Sequence, residues 1–228
     1  MVGKILLVLI TAYLIGSIPV GYLIVKAIKG IDVRTVGSGR VGGTNTMRAA
    51  GPLAGVMTAC LDAGKGILVA YLAHVILPTS LWMKIIAVIL AVVGQIFSIF
   101  LIERNSDGKI RLRGGAGGAT TLGGAVALWP VGLVIILPLV ILVYLGIGYA
   151  SVTTISIAFF SLVLFAYNAI IGLGPWEYLT YGVVTLVIVI IALRPNLQRL
   201  KAGTERVVGL RALIQKRLQQ TITADHSK

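Results

Sequence analysis

The sequence predicts an all-α, polytopic membrane protein with about seven transmembrane helices, its N-terminus outside and its C-terminus cytoplasmic. Three observations lead there. Of the 228 residues, 57% are hydrophobic and 12% are charged, whereas a soluble domain carries about a quarter charged residues. Runs such as 5–25, 81–102 and 131–145 hold almost nothing polar, and a helix of about 20 apolar residues crosses a bilayer. The basic residues are clustered: of the 20 Lys and Arg, five lie within 26–48, four within 104–113 and eight after 193.

Hydropathy divides the chain into seven candidate spans at 5–28, 53–77, 82–102, 117–130, 131–148, 152–171 and 177–193. Lys4 followed by an apolar run resembles a signal peptide. The run is longer than an h-region of about 7–15 residues and no small-residue cleavage site closes it, so it reads as the first span. The fourth segment is short and Gly-rich, a half-helix or one that merges with the fifth around Pro130. Cytoplasmic loops collect Lys and Arg, and an odd number of spans with the N-terminus outside places all three basic clusters inside. Lys4 and Lys84 then fall outside, and Lys65 lies within the second span. Trp82, Trp129 and Trp176 fall near the outer connections, as the interfacial preference of tryptophan requires. Beyond Arg194 the chain turns polar; 206–218 reads as a basic amphipathic helix on the membrane surface, and 219–228 as frayed. The organisation expected is one integral membrane domain over 1–205 and a basic cytoplasmic tail over 206–228. No polar stretch is long enough to bury a core of its own.

The net charge of +13 would point to nucleic acid in a soluble protein. In so apolar a chain it follows from loop orientation, so membrane lipids are the expected surroundings and nucleic acid is not a partner. Cys60 is the one cysteine, so no intramolecular disulfide forms. His74 and His226 have no ligand neighbours, and no His, Cys and carboxylate cluster points to a metal.

Four polar stretches are left over from spanning. In the first, 37–48, Gly37, Gly39, Gly42 and Gly43 are interleaved with Ser38, Thr44, Asn45, Arg40 and Arg48. Glycine lets backbone N–H groups approach a ligand, and consecutive N–H groups form a concave anion site. Arg48 adds a bidentate contact to phosphate, while Ser38, Thr44 and Asn45 add hydrogen bonds. A plain flexible hinge explains the glycines but not the Arg and Asn among them. The second is Asp62-Ala63-Gly64-Lys65-Gly66, a turn or two inside the second span. Charges within spans face cavities or each other, and a spacing of three puts Asp62 and Lys65 on one face. A self-neutralised structural pair and a substrate site stand level. The third, Arg111–Gly124, carries Gly114, Gly115, Gly117 and Gly118 into a helix start, an anion site by its backbone or a packing surface of small residues. The fourth, Arg194–Glu205, is a basic stop after the last span, with Asn196 and a Gly-Thr-Glu turn that orientation alone does not explain.

In their order and spacing these stretches resemble the bacterial acyl-phosphate:glycerol-3-phosphate acyltransferases, the PlsY family, over nearly the whole chain. Gly37–Gly51 resembles the family's first motif, and Asp62-x-x-Lys65-Gly66 matches a second. Gly94-Gln95-x-Phe97 and Gly114–Gly117 fall where two further motifs lie, and Asn196-x-x-Arg199-Leu200-x-x-Gly203-Thr204-Glu205 matches the last. The resemblance implies a seven-span enzyme with its site at the cytoplasmic face of the bacterial cell membrane. It would transfer an acyl group from acyl phosphate to glycerol 3-phosphate, giving lysophosphatidic acid and phosphate, the first step of phospholipid synthesis. It implies no cofactor. It also implies, as a partner, the soluble enzyme that makes acyl phosphate. Carried over by position, Ser38, Arg48, Asn45 and Asn196 would be catalytic. Gly37, Gly39, Gly42, Thr44, Asp62 and Lys65 would contribute to substrate and phosphate binding, as would Gly114, Gly115, Gly117, Arg199 and Glu205. Four positions depart from the family pattern: Arg40 replaces an asparagine, Gln95 a histidine, Ala116 a lysine and Leu193 a histidine. Arg40, Arg111 and Arg113 are the cations placed to compensate for Ala116. Two other readings stay open on the sequence: a family-shaped protein that binds a phosphate-bearing lipid or metabolite without catalysis, and a small transporter.

Overall fold

The first apolar run is broken by a proline. The helix α1 (Val2–Ser17) stops before Pro19, which has no N–H to continue the ladder, and α2 (Val20–Lys29) resumes beyond it and ends on left-handed Gly30. A 3-10 turn at Val33–Thr35 leads through a glycine loop into α3 (Gly43–Ala50). Then follow α4 (Pro52–Ile76), which carries its proline in the first turn where no hydrogen bond is lost, and α5 (Leu81–Ile96), capped by Ser80. Two short strands, β1 (Ile102–Arg104) and β2 (Ile110–Leu112), precede α6 (Gly118–Leu128), α7 (Gly132–Gly146) and α8 (Ala150–Ile170). The chain closes with α9 (Tyr178–Ala192), α10 (Arg194–Lys201) and α11 (Gly209–Asp225). This computed structural model describes residues 1–104, 108 and 110–225, with side chains left out at 216 and 219–225. Lys109, His226 and Lys228, and the side chain of Lys216, lie outside the described residues.

Each of the seven apolar segments forms helix near its expected place. Among the described residues, Val2–Lys29, Pro52–Ile76 and Ala150–Ile170 are long and apolar enough to cross a bilayer, and α9 joins α10 through a bend of 62°. The segments α5, α6 and α7 are shorter.

Two expectations need correcting. The fold is mostly helical as expected but not wholly so: the third segment stops at Ile96, and residues 102–104 pair with 110–112 as an antiparallel hairpin in which Glu103 lies opposite Arg111. Strands of three residues are too short to show alternation in the sequence. The C-terminal helix starts at Gly209 rather than 206 and continues past 219 to Asp225, because Val207 is taken up in a bridge to Tyr149.

The helices pack through small residues, which lets backbones come close where lipid offers no hydrophobic drive to associate. Gly123 of α6 lies against the backbone of Ala63 in α4, and a Cβ there would overlap it. Beside this seam sits the main apolar core, with Ile85, Val88, Ile136, Phe165 and Tyr181 buried. The Tyr181 hydroxyl donates to the Thr121 carbonyl at 2.6 Å, which satisfies the one polar atom the ring brings in. The outward faces are apolar too: Val134 is 75% exposed and Leu142 66%, a surface suited to lipid and not to water. Helix alternation brings the α2–α3 loop, the start of α6, the α7–α8 junction and the end of α9 to one end of the bundle. Three of the four polar stretches, the first, third and fourth, meet there.

Candidate active site

The glycine loop between α2 and α3 is built around Asn45. This side chain is 2% exposed. Its amide nitrogen donates to the carbonyls of Val33, Val36 and Arg40 at 3.1, 2.9 and 2.9 Å, and its oxygen accepts from Ser38 N–H at 3.1 Å. Gly37 and Gly39 take φ of 53° and 69°, the left-handed region that side chains disfavour. A Cβ on Gly37 would strike Asn45, and one on Gly39 the guanidinium of Arg113. The loop is further anchored by Arg34, which pairs with Asp32 at 2.6 Å and with Glu103 of the hairpin at 3.0 Å. Neighbouring Arg34 holds the Asp32 carboxyl below the usual carboxylate range. So held, the loop turns Ser38, Arg40, Gly42 and Thr44 toward a cavity of ≈ 60 Å³.

Two arginines dominate that cavity. Arg40 crosses it and donates to the Gly115 carbonyl at 3.1 Å, the Ala192 carbonyl at 2.6 Å and Asn196 Oδ1 at 3.3 Å. All three acceptors are neutral, so its charge is solvated by dipoles but not cancelled. Burial, ahead of its basic neighbours Arg199 and Arg113, lowers its pKa from the ordinary value, though a guanidinium stays protonated. Arg48, in the last turn of α3, has no hydrogen bond or ion pair among the described residues, and burial again lowers its pKa. The acidic group nearby is already engaged: Glu205 accepts from Asn196 Nδ2 at 2.9 Å and pairs with Arg199 at 3.0 Å. Ser151 and Thr154 complete the wall from the first turn of α8, and the buried Ser151 hydroxyl has no hydrogen-bond partner among the described residues. A larger apolar groove of ≈ 360 Å³ adjoins the cavity, shares Thr44 and Arg48 with it, and runs between α3, α7 and the start of α11. A cationic pocket rich in donors, opening into an apolar groove, suits a molecule with a phosphate at one end and a hydrocarbon chain at the other.

Asp62 and Lys65 sit elsewhere. They lie about three turns into α4, deeper than the turn or two expected, and pair at 2.8 Å with 2% and 6% of their side chains exposed. Lys65 Nζ also donates to the carbonyls of Gly16 and Ile18, at 3.1 and 2.8 Å, and to Gln95 Oε1. Gln95 Nε2 returns a bond to Asp62 at 2.8 Å. The Pro19 break frees carbonyls at the end of α1, and Lys65 satisfies them. The cluster reaches the glycine-rich stretch indirectly, through Gly115 N–H on the Gln95 carbonyl at 2.8 Å.

Known proteins match this arrangement along nearly the whole chain. The family model described as glycerol-3-phosphate acyltransferase covers residues 6–203. The chain belongs to this family. It is 35% identical over 218 residues to glycerol-3-phosphate acyltransferase 3 of Dehalococcoides mccartyi, a match covering 90% of this chain and 96% of that one. Crystal structures of PlsY, an integral membrane glycerol 3-phosphate acyltransferase, superpose with TM-scores of 0.78 for the glycerol 3-phosphate form and 0.76 for the lysophosphatidic acid form. They are 30% and 29% identical to this chain, and each match covers 92% of this chain and 98% of the other. The protein is therefore a mostly helical integral membrane acyltransferase.

The cavity gathers Ser38, Gly42, Thr44, Asn45, Arg48, Asn196 and Glu205. Gly37 and Gly39 shape the loop without lining the cavity. Gly114, Gly115 and Gly117 lie behind Ala116, and Arg199 is reached through Glu205. Asp62 and Lys65 have no place in the lining. Asn45 and Asn196, expected as catalytic, have their amides engaged in holding the loop and the Arg40–Glu205 bridge. Of the cations placed to stand in at Ala116, Arg40 reaches the position, while Arg113 turns to Glu103 at 3.1 Å and Arg111 sits on the exposed hairpin. Ser151, Thr154 and Arg206 were missed. The crowding of Ser151, Thr153, Thr154 and Ser156 into the start of α8 is the signal for the first two.

Proposed function

We propose that this chain transfers a fatty acyl group from acyl phosphate to glycerol 3-phosphate, giving lysophosphatidic acid and inorganic phosphate, the first step of phospholipid synthesis. The observation that supports this is the joining of two guanidinium groups, without carboxylate partners among the described residues, to an apolar groove at Thr44 and Arg48. The glycerol hydroxyl oxygen attacks the acyl carbonyl, the bond from carbonyl carbon to phosphate oxygen breaks, and phosphate leaves with the electron pair. The hydroxyl proton goes to the departing phosphate or to water. Acyl phosphate is already an activated anhydride, so the protein has to hold two anions together and stabilise the charge that develops on the carbonyl oxygen. Arg48, Ser38 and the first N–H groups of α3 hold glycerol 3-phosphate, Arg40 supplies charge beside Ala116, and the acyl chain leaves along the groove. Gly37, Gly39, Gly42 and Asn45 keep the loop in register. Gly114, Gly115 and Gly117 present Ala116, and Asn196, Glu205 and Arg199 fix Arg40. Asp62 and Lys65 contribute through the Gln95 contact to that stretch.

In the same reading seven helices cross the bacterial inner membrane, with the N-terminus outside and the site at the cytoplasmic face. Residues 1–205 form the catalytic domain and 206–228 a basic cytoplasmic tail. A soluble enzyme that makes acyl phosphate supplies the donor. Transport is not favoured, because Asp62 and Lys65 are sealed by Gln95 and backbone carbonyls and line no path.

The test is purified protein in detergent with palmitoyl phosphate and labelled glycerol 3-phosphate. Labelled lysophosphatidic acid is expected, and none above a boiled control overturns the reading. A second result follows from Arg40. An ammonium added at position 116 would meet the Arg40 guanidinium, so Ala116→Lys alone is expected to give no gain. In an Arg40→Ala background, itself down about tenfold by the loss of one charge-assisted contact, the same change should restore activity. A higher kcat/KM from Ala116→Lys with Arg40 present would show that Arg40 does not stand in there.

A further inference from the structure

The family match ends at residue 203, yet the chain beyond it turns back into the site. Val207 forms an antiparallel bridge with Tyr149, and Val208 N–H donates to the Gly148 carbonyl at 2.8 Å. Val208 is buried. Gly209, at φ 60°, presses its backbone against the Tyr144 carbonyl, where a Cβ would overlap. The Arg211 guanidinium lies 4.9 Å from the centroid of the Tyr149 ring, within cation–π range. A basic tail that only follows the membrane surface needs none of these contacts.

What they fix at the cavity mouth is Arg206, which lines the polar pocket with Arg48. Arg206 has no hydrogen bond or ion pair among the described residues. Its charge is close enough to be one of the causes, after burial, that lower the Arg48 pKa. Glu205, the preceding residue, offsets them only in part: its two oxygens bond Asn196 and Arg199, so it reaches Arg48 through space and not by contact. Two guanidinium groups held at one cavity repel each other until an anion binds there. A phosphate dianion has the charge and the acceptor oxygens for both.

We propose that Arg206 is a substrate-binding residue of this chain, a second guanidinium that with Arg48 holds the phosphate of glycerol 3-phosphate, and that the docked segment 207–211 positions it. This rests on the pocket being the glycerol 3-phosphate site proposed above. Arg206 is exposed, so its removal leaves the packing intact.

The test has a kinetic and a binding arm. With glycerol 3-phosphate varied at saturating palmitoyl phosphate, Arg206→Ala should raise KM for glycerol 3-phosphate about tenfold, the worth of one charge-assisted contact, with kcat little changed. Arg206→Lys should recover part of the loss. Gly209→Val, which undocks the segment, should raise the same KM and add nothing in the Arg206→Ala background. An unchanged KM in Arg206→Ala, or a rise confined to the KM for palmitoyl phosphate, overturns the inference. Calorimetric titration of glycerol 3-phosphate into wild type and Arg206→Ala separates the two readings. A wild type that makes no product but binds more tightly than the variant sinks the acyltransferase reading and keeps this one. Equal binding by an active wild type and the variant does the reverse.

Discussion

Arg48→Ala raises the KM for glycerol 3-phosphate by roughly ten- to a hundredfold, the range of a charged contact worth about 1.5–3 kcal/mol. The size follows from where Arg48 stands. It is the guanidinium that lines both the polar cavity and the apolar groove, and it pairs with no carboxylate among the described residues. A contact made equally in ground and transition states changes KM and leaves kcat alone, so the split between the two constants tells positioning from catalysis. Arg48→Lys keeps the charge and loses the bidentate fork, and should fall between wild type and Arg48→Ala. A KM for glycerol 3-phosphate that does not move in Arg48→Ala removes Arg48 from the site.

The second large effect concerns folding. Asp62→Ala or Lys65→Met leaves one buried charge without its partner, a change that costs about 3–5 kcal/mol in protein interiors. Either variant should unfold at a markedly lower temperature in detergent. The double variant Asp62→Leu/Lys65→Met should recover part of the loss, since no lone charge remains. Recovery should be incomplete, because the carbonyls of Gly16 and Ile18 lose the donor that Lys65 gives them. A Lys65→Met protein that melts with the wild type would mean that the pair is not structural.

The apolar helices were legible in the sequence because lipid enforces a simple rule: a segment that faces it is long and apolar. The place of the candidate cavity was legible for a related reason. Glycine, Ser38, Asn45 and Asn196 among basic residues exceed what orientation requires. What stayed hidden depends on contacts between distant parts of the chain. Arg40 meets the Ala192 carbonyl across 152 residues, so its place beside Ala116 is written in no local pattern. Asn45 looked like a reacting group because Asn in a polar loop often faces a ligand, but its four backbone bonds belong to the loop itself. Asp62 and Lys65 showed their pairing through their spacing. They did not show that Pro19, more than forty residues earlier, supplies the carbonyls that complete the cluster. Arg206 was read as one more tail cation because no hydropathy pattern tells that the segment folds back.

The shortness of α6 has a mechanical consequence. Its 11 residues rise about 16 Å, little more than half of a hydrocarbon core of about 30 Å. A helix that falls short by this much leaves a hydrophobic mismatch, relieved by thinning of the bilayer or by sinking non-helical chain to acyl depth. Non-helical backbone is tolerated at that depth only where protein or a watery cavity surrounds it. Gly115, bonded to Gln95 beside the Arg40 pocket, meets that condition. On the proposed topology, an acyl donor dissolved in the leaflet would meet its water-soluble acceptor part-way down, and neither would have to be carried fully into the other's solvent.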